Sequence, residues 1–235
     1  MGIISSYIDK VSALTKCEKD SDKSKTWSGA VTRETPLSET PFVVFDTELS
    51  GLDPRKDFIV SIGAIKMFGT KINLSEEFYR LIKPAGKMPK KSVEIHGLTP
   101  GELEKKESLE NVLPDFLEFI KDSVLVGHFI NIDLNFINTA LKKTDKGRLT
   151  NPAVDTHSVH DWLYKNGMEF KRHYMGASSK TDLFSISQKY GISVYTAHNA
   201  LNDAFITAQL LQKFLHFLKP EGVRTLNDLL DIGRA

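Results

Sequence analysis

Two carboxylates stand two residues apart at the end of an apolar run, Phe42-Val43-Val44-Phe45-Asp46-Thr47-Glu48. In a β-strand, residues at that spacing project to one side about 6–7 Å apart, so Asp46 and Glu48 point the same way. Acids that close repel, and partial burial sharpens the repulsion. Either one takes up a proton, or both face water at a solvated strand end, or a cation sits between them. Hard divalent ions such as Mg²⁺ prefer carboxylate oxygens. A third acid, Asp133, follows a short buried strand ending at Gly127-His128, with Asn131 as the expected cap of the next helix. An acid in a helix's first turn also complements the dipole with no catalytic role. The fourth is Asp203. Asn199 as N-cap leaves His198 just outside the helix and Asp203 about one turn in, so both can reach one point. Asp203 lies beside an apolar stripe, where an unpaired acid is costly. Metal-assisted phosphodiester hydrolysis needs this inventory: carboxylates to hold two cations about 3.5–4 Å apart, and a base to take a proton from water.

The elements that must position these groups are legible in hydrophobic period. The run ending at Asp46 is one strand, residues 58–69 a second and 73–84 a third, with Gly69-Thr70 as the turn between the last two. Residues 108–122 carry apolar side chains at helical spacing: Leu109, Val112, Leu113, Phe116, Leu117 and Ile120. Residues 123–128 read as a buried strand and 131–143 as a helix with Leu134, Ile137 and Leu141 on one face. Helices are expected over 155–165 and 180–191, the latter ending at Gly191. The clearest helix is 200–218, where Leu201, Ala204, Ala208, Leu211, Leu215 and Leu218 form a stripe widened by Phe205, Phe214 and Phe217. Three strands in a meander followed by alternating helix and strand predict an α/β mixed sheet covered by helices.

At 235 residues and 40% hydrophobic, the chain can bury one good-sized core. Residues 41–219 are expected to form it, preceded by a polar extension and linker (1–40, with a short amphipathic helix near Ile3–Leu14) and followed by a short C-terminal helix or tail (220–235). The 31 basic and 30 acidic side chains exclude a binder that grips nucleic acid by bulk positive charge. Lys87, Lys90 and Lys91, and Lys142, Lys143, Lys146 and Arg148, are either phosphate contacts or ordinary surface cations. Cys17 is the lone cysteine, which points to a reducing, cytoplasmic setting. No apolar run approaches the ~20 residues of a membrane span. The start "MGIISS" fits the loose acylation pattern at Gly2, one common by chance.

Four segments, "FDTELSGLDPRKDFIVSIGAIKM", "VEIHGLTPGEL", "VLVGHFINIDLNFI" and "HNALNDAFITAQLL", come in the order and context of the DEDDh 3'–5' exonucleases. The chain resembles that family, and within it the epsilon proofreading subunits of bacterial DNA polymerase III, from residue 41 to about 218. The resemblance implies a ribonuclease H-like fold with a five-stranded mixed sheet and two Mg²⁺ or Mn²⁺ ions. It also implies stepwise release of nucleoside 5'-monophosphates from a 3' end. Asp46, Glu48 and Asp203 match ligands of the first metal. Asp46 would bridge to the second, which Asp133 would support through water. His198 matches the general base. Tyr195 lacks an Asp at the distance that the family's tyrosine branch requires. Thr47 and the turn at Leu49–Leu52 resemble the segment against the terminal nucleotide, and Ile95 and His96 the wall near its sugar and base; a plain helix-end histidine is the rival reading of His96. Asp155 matches an acid of structural role.

Three residues depart from the family's pattern. Leu49 stands where a hydroxyl is common, Phe129 replaces an amide donor, which bears on the positioning of Asp133 or on a contact with the substrate strand, and Ile132 stands where Phe is usual. None removes a metal ligand or the base. The implied partner is a single-stranded 3' end, DNA ahead of RNA, with a DNA polymerase or another replication or repair protein as the implied protein partner and no membrane. A stand-alone exonuclease is favoured over a dedicated subunit, because only "KPEGVRTLNDLLDIGRA" follows the last core helix. "QKFLHF" loosely fits a sliding-clamp hexapeptide, but Phe214, Leu215 and Phe217 fall on the apolar face. The rivals are an RNA-trimming exonuclease with the same five residues and a non-catalytic module that keeps the fold.

Overall fold

The computed structural model describes residues 31–174, 181–194 and 198–235. The helix expected near Ile3–Leu14, the Gly2 pattern, Cys17 and Tyr195 lie outside the described residues. Five strands form one mixed sheet in the order β3-β2-β1-β4-β5. They are β1 (Pro41–Leu49), β2 (Ile59–Phe68), β3 (Lys71–Leu81), β4 (Val124–Gly127) and β5 (Ala153–Asp155). The first three make an antiparallel meander, while β4 runs parallel to β1 and β5 parallel to β4. This is the α/β, ribonuclease H-like arrangement expected.

β1 is central and buried on both faces, which is why its sequence opens with an unbroken apolar run rather than an alternation. Phe42 and Val44 enter the core layer of helix α8 (Ala200–Leu218), and Val43 and Phe45 the layer of α3 (Leu109–Ile120) and α4 (Asn131–Lys143). Continuing that alternation, Asp46 and Glu48 belong to the α8 side and Thr47 to the α4 side. α8 is buried almost all round, including Phe214, Leu215 and Phe217, so the clamp-like hexapeptide is core.

Several details depart from the sequence reading. The cap of α4 is Ile130, not Asn131, because Phe129 and Ile130 already accept from Ile132 and Leu134 and start the helix one residue early. The helix expected over 180–191 is shorter, α7 (Leu183–Lys189), capped by Asp182 on the Ser185 N–H. Gly191 lies beyond it at φ +67°. Two helices were not anticipated, α2 (Pro100–Leu103) and α6 (Met168–Tyr174), and α1 (Lys90–His96) was foreseen only in the reading of His96 as a helix-end histidine. α1 starts behind Pro89 with no side-chain cap, so nothing local announced its start, whereas α2 carries a Thr99–Glu102 capping box. α5 (Thr156–Asn166) and α9 (Leu226–Gly233) complete the α-helices of the described residues, and a 3-10 turn covers Leu37–Glu39. Val31 and Leu37, placed in the polar extension, and Leu226, Leu229 and Leu230, placed in the tail, share one core cluster with β1 and α8. Among the described residues, no helix is long and apolar enough to cross a membrane.

Candidate active site

Asp46, on β1, lies opposite Gly63 on β2, and Gly63 lies opposite Tyr79 on β3. The bare Gly63 is what lets α8 begin directly above the sheet: a Cβ there would sit 2.1 Å from Leu201 N and 2.2 Å from the Ala200 carbonyl carbon. Docked in this saddle, α8 brings Asp203 to the strand. Oxygens of Asp46, Glu48 and Asp203 all lie within 4.8 Å of one another. Asp133 arrives from the opposite layer, in the first turn of α4. Its Oδ1 accepts the Thr47 N–H at 3.0 Å and the Thr47 hydroxyl. The β1–β2 register slips just past Glu48, as bulges beside functional sites do. The acids therefore gather at the carboxyl end of β1 from both layers.

The crowding is electrostatically costly. Glu48 and Asp203 are only 8% and 5% exposed. Burial, then the charges of Asp203 and Asp133, push Glu48 from its usual 4.5 up to about 8. Burial, then Asp133, Asp203 and Glu48, raises Asp46 well above the carboxylate range. Burial lifts Asp133 to about 7 against the pull of Thr47, and Asp203 to about 7 against a hydrogen bond from the His198 backbone. Glu48 Oε1 and Asp203 Oδ1 are buried without a hydrogen-bond partner. Unpartnered, mutually repelling oxygens are the donor set of a hard divalent cation, so Asp46, Glu48 and Asp203 fit one.

His198 is exposed, at φ +62°, with its ring edge-on to Phe184 at 5.2 Å. The protein packed on one side lowers its pKa, favouring the neutral imidazole. It shares a cavity of about 240 Å³ with Glu48, Ser61, Tyr79, His96, Leu98, Asn199 and Asn202. His96 is thus the one expected substrate contact that lines this cavity. Its Nδ1 accepts from the Leu98 N–H at 3.0 Å, and its Nε2 is buried without a partner. The side chain of Thr47 is committed to Asp133. Leu49 packs against the α3–α4 core layer, Leu52 is half-buried in the β1–β2 loop, and Ile95 is 43% exposed on α1. Phe129 adopts φ +58°, a left-handed conformation, with its N–H donated to Asp155 at 2.9 Å and its ring 4.3 Å from that of His157. The aromatic that replaces the amide does not set Asp133, which Thr47 holds. Asp155 also accepts from the His157 N–H, so it clasps the end of β4 to the start of α5. Tyr79 went unnoticed in the sequence, and so did the pairing of its hydroxyl with Asn199 Nδ2 at 3.1 Å.

A mixed sheet whose central strand ends in two acids, joined by acids from both helical layers, defines a DEDDh-type 3'–5' exonuclease domain. Residues 43–211 match the RNase T exonuclease family, and the chain belongs to it. Among its relatives, the DNA polymerase III PolC-type protein of Thermotoga maritima is 36% identical over 196 residues, 83% of this chain. This chain spans only 13% of that protein's length. The DNA polymerase III subunit epsilon of Aquifex aeolicus is 31% identical over 182 residues, 77% of this chain and 84% of that one. In fold, the chain is similar to E. coli exonuclease I in complex with a dT13 oligonucleotide, with a TM-score of 0.70 at 16% identity over 78% of this chain and 42% of that one. Exonuclease X in complex with 5' overhanging duplex DNA gives 0.59 at 19% identity, over 81% and 98%.

Proposed function

We propose that this chain is a two-metal-dependent exonuclease that removes nucleoside 5'-monophosphates from the 3' end of single-stranded DNA, in proofreading or repair. The observation that carries this reading is the meeting of Asp46, Glu48 and Asp203 within 4.8 Å, with no partner for the buried Glu48 Oε1 and Asp203 Oδ1. Asp46, Glu48 and Asp203 would hold one Mg²⁺ or Mn²⁺, and Asp46 with Asp133, through water, a second. When bound, such ions polarise the scissile phosphodiester and make water a stronger nucleophile. The chain's own residues do the rest. Thr47 keeps Asp133 aimed at the end of β1. His198, neutral near pH 7, takes the proton of the attacking water and, being exposed, passes it to solvent. His96, which lines the cavity, would offer its unpartnered Nε2 as a hydrogen-bonding group for the terminal sugar or phosphate, and Leu49, Leu52, Ile95 and Phe129 would lie along the strand's path.

Matches named for DNA polymerase III support DNA over RNA and a polymerase or another replication or repair protein as partner. Lys90 and Lys91 begin α1 and, like Lys87, are exposed, as phosphate contacts require. The test is a 5'-labelled single-stranded DNA oligonucleotide with Mn²⁺, beside a matched RNA. A ladder shortening from the 3' end is expected, absent in Asp46→Ala and in EDTA. No shortening with either Mn²⁺ or Mg²⁺ would overturn the reading, and faster RNA turnover would reassign the substrate.

A further inference from the structure

We propose that Tyr79 is a positioning residue for His198, acting through Asn199. The His198 ring is exposed and touches Phe184 only edge-on, so packing does not aim it; its backbone must. That backbone sits at φ +62°, a conformation that L residues keep only when their surroundings hold them there. One hydrogen-bonded tether stands beside it. The next residue, Asn199, uses both ends of its amide. Oδ1 accepts from the Asn202 N–H at 3.2 Å, capping α8, and Nδ2 donates to the Tyr79 hydroxyl at 3.1 Å. The cap demands the oxygen, so the NH₂ group is the end left for Tyr79.

Tyr79 is well placed to anchor. It stands on the same cross-sheet row as Gly63 and Asp46, so the start of α8 is seated on Gly63 with the acid on one side and the tyrosine on the other. The hydroxyl belongs to a strand of the same sheet that carries the two acids. It therefore fixes the loop bearing the base relative to those acids, across 120 residues of chain.

The kinetic consequence rests on the exonuclease reading above. Tyr79→Phe removes only the hydroxyl, and Asn199→Ser keeps a cap but is too short to reach Tyr79. On the labelled DNA with Mn²⁺, each is expected to lower kcat about tenfold with KM unchanged, since small misplacements of a catalytic group cost that much. The double variant should be no slower than the slower single one. Hydrogen–deuterium exchange in the segment 198–205, read without substrate, should quicken in Tyr79→Phe and nowhere else. A raised KM would make Tyr79 a substrate contact, multiplying losses would separate it from Asn199, and unchanged exchange would remove the tether; each overturns the proposal. An inactive wild-type chain would instead overturn the exonuclease reading, leaving the exchange experiment to decide the tether.

Discussion

At the scale of single residues, the site is a set of charges that the fold has forced together and left short of partners. Glu48 is protonated in the metal-free fold up to about pH 8, whereas in the unfolded chain it ionises near its usual 4.5. Between those limits the unfolded state binds fewer protons, so this group's contribution is full below about pH 4.5 and lost as pH rises through about 8. Asp133 and Asp203 act in the same direction toward about 7. The melting temperature in EDTA should therefore fall from about pH 5 to about pH 8, and saturating Mn²⁺ should reverse the fall. A melting temperature that rises over that range would contradict the crowding. Glu48→Gln is expected to raise the metal-free melting temperature at pH 8, to abolish the rise that Mn²⁺ causes and to abolish exonuclease activity; calorimetry and the DNA assay read all three. Thr47→Val keeps shape and backbone N–H but drops the hydroxyl on Asp133. We expect kcat to fall about tenfold, with the melting temperature little changed, because Asp133, proposed to support the second metal, then loses one of two clasps.

At the scale of elements, the decisive contact is a helix end on a glycine. Nothing in the period of α8 says where along the sheet it starts, yet Asp203 reaches Glu48 only because Ala200 and Leu201 rest on Gly63. Gly63→Ala should cost about 1–3 kcal/mol of stability, as overpacking does. It should also weaken Mn²⁺ binding, since the helix must lift and take Asp203 with it. Denaturant melts and calorimetry would show both, and an Ala variant with native metal affinity would show that the seat of α8 is not what sets the acid.

At the scale of the whole molecule, the described residues on either side of 41–219, residues 31–40 and 220–235, pack with the sheet that carries the site. Leu37 N–H donates to Arg224 O at 2.8 Å and Leu226 N–H to Thr35 O at 2.9 Å, pairing the approach to β1 with the approach to α9. Leu229, fully buried, joins the core cluster of β1 and α8 from a helix that packs on α5 and β5. Leu229→Ala should cost about 2–5 kcal/mol, read by urea denaturation, with kcat per folded molecule unchanged. A loss under about 1 kcal/mol would mean that α9 is merely apposed.

Much of this was legible in the chain. A strand's period of two put Asp46 and Glu48 on one side, the apolar run marked β1 as central, and Asn199 announced the start of α8, because each of these depends on neighbours within a few residues. Other features had no local trace. The turn at Gly69-Thr70 pairs Phe68 with Lys71 and Lys66 with Asn73, a register that would carry Glu76 opposite Gly63; the slip between Ile65 and Lys66 brings Tyr79 there instead. Val31 and Leu37 were hidden in a polar stretch because a lone apolar residue there has no period to betray it. That the Thr47 hydroxyl would meet Asp133 required knowing that α4 brings that acid to β1. Local patterning thus determined which elements form and which face each acid takes. Register, helix seating and the partner of each polar atom were decided only when distant segments buried their surfaces against one another, since those choices minimise exposed apolar area and unpaired charge over the whole fold rather than along any stretch of it.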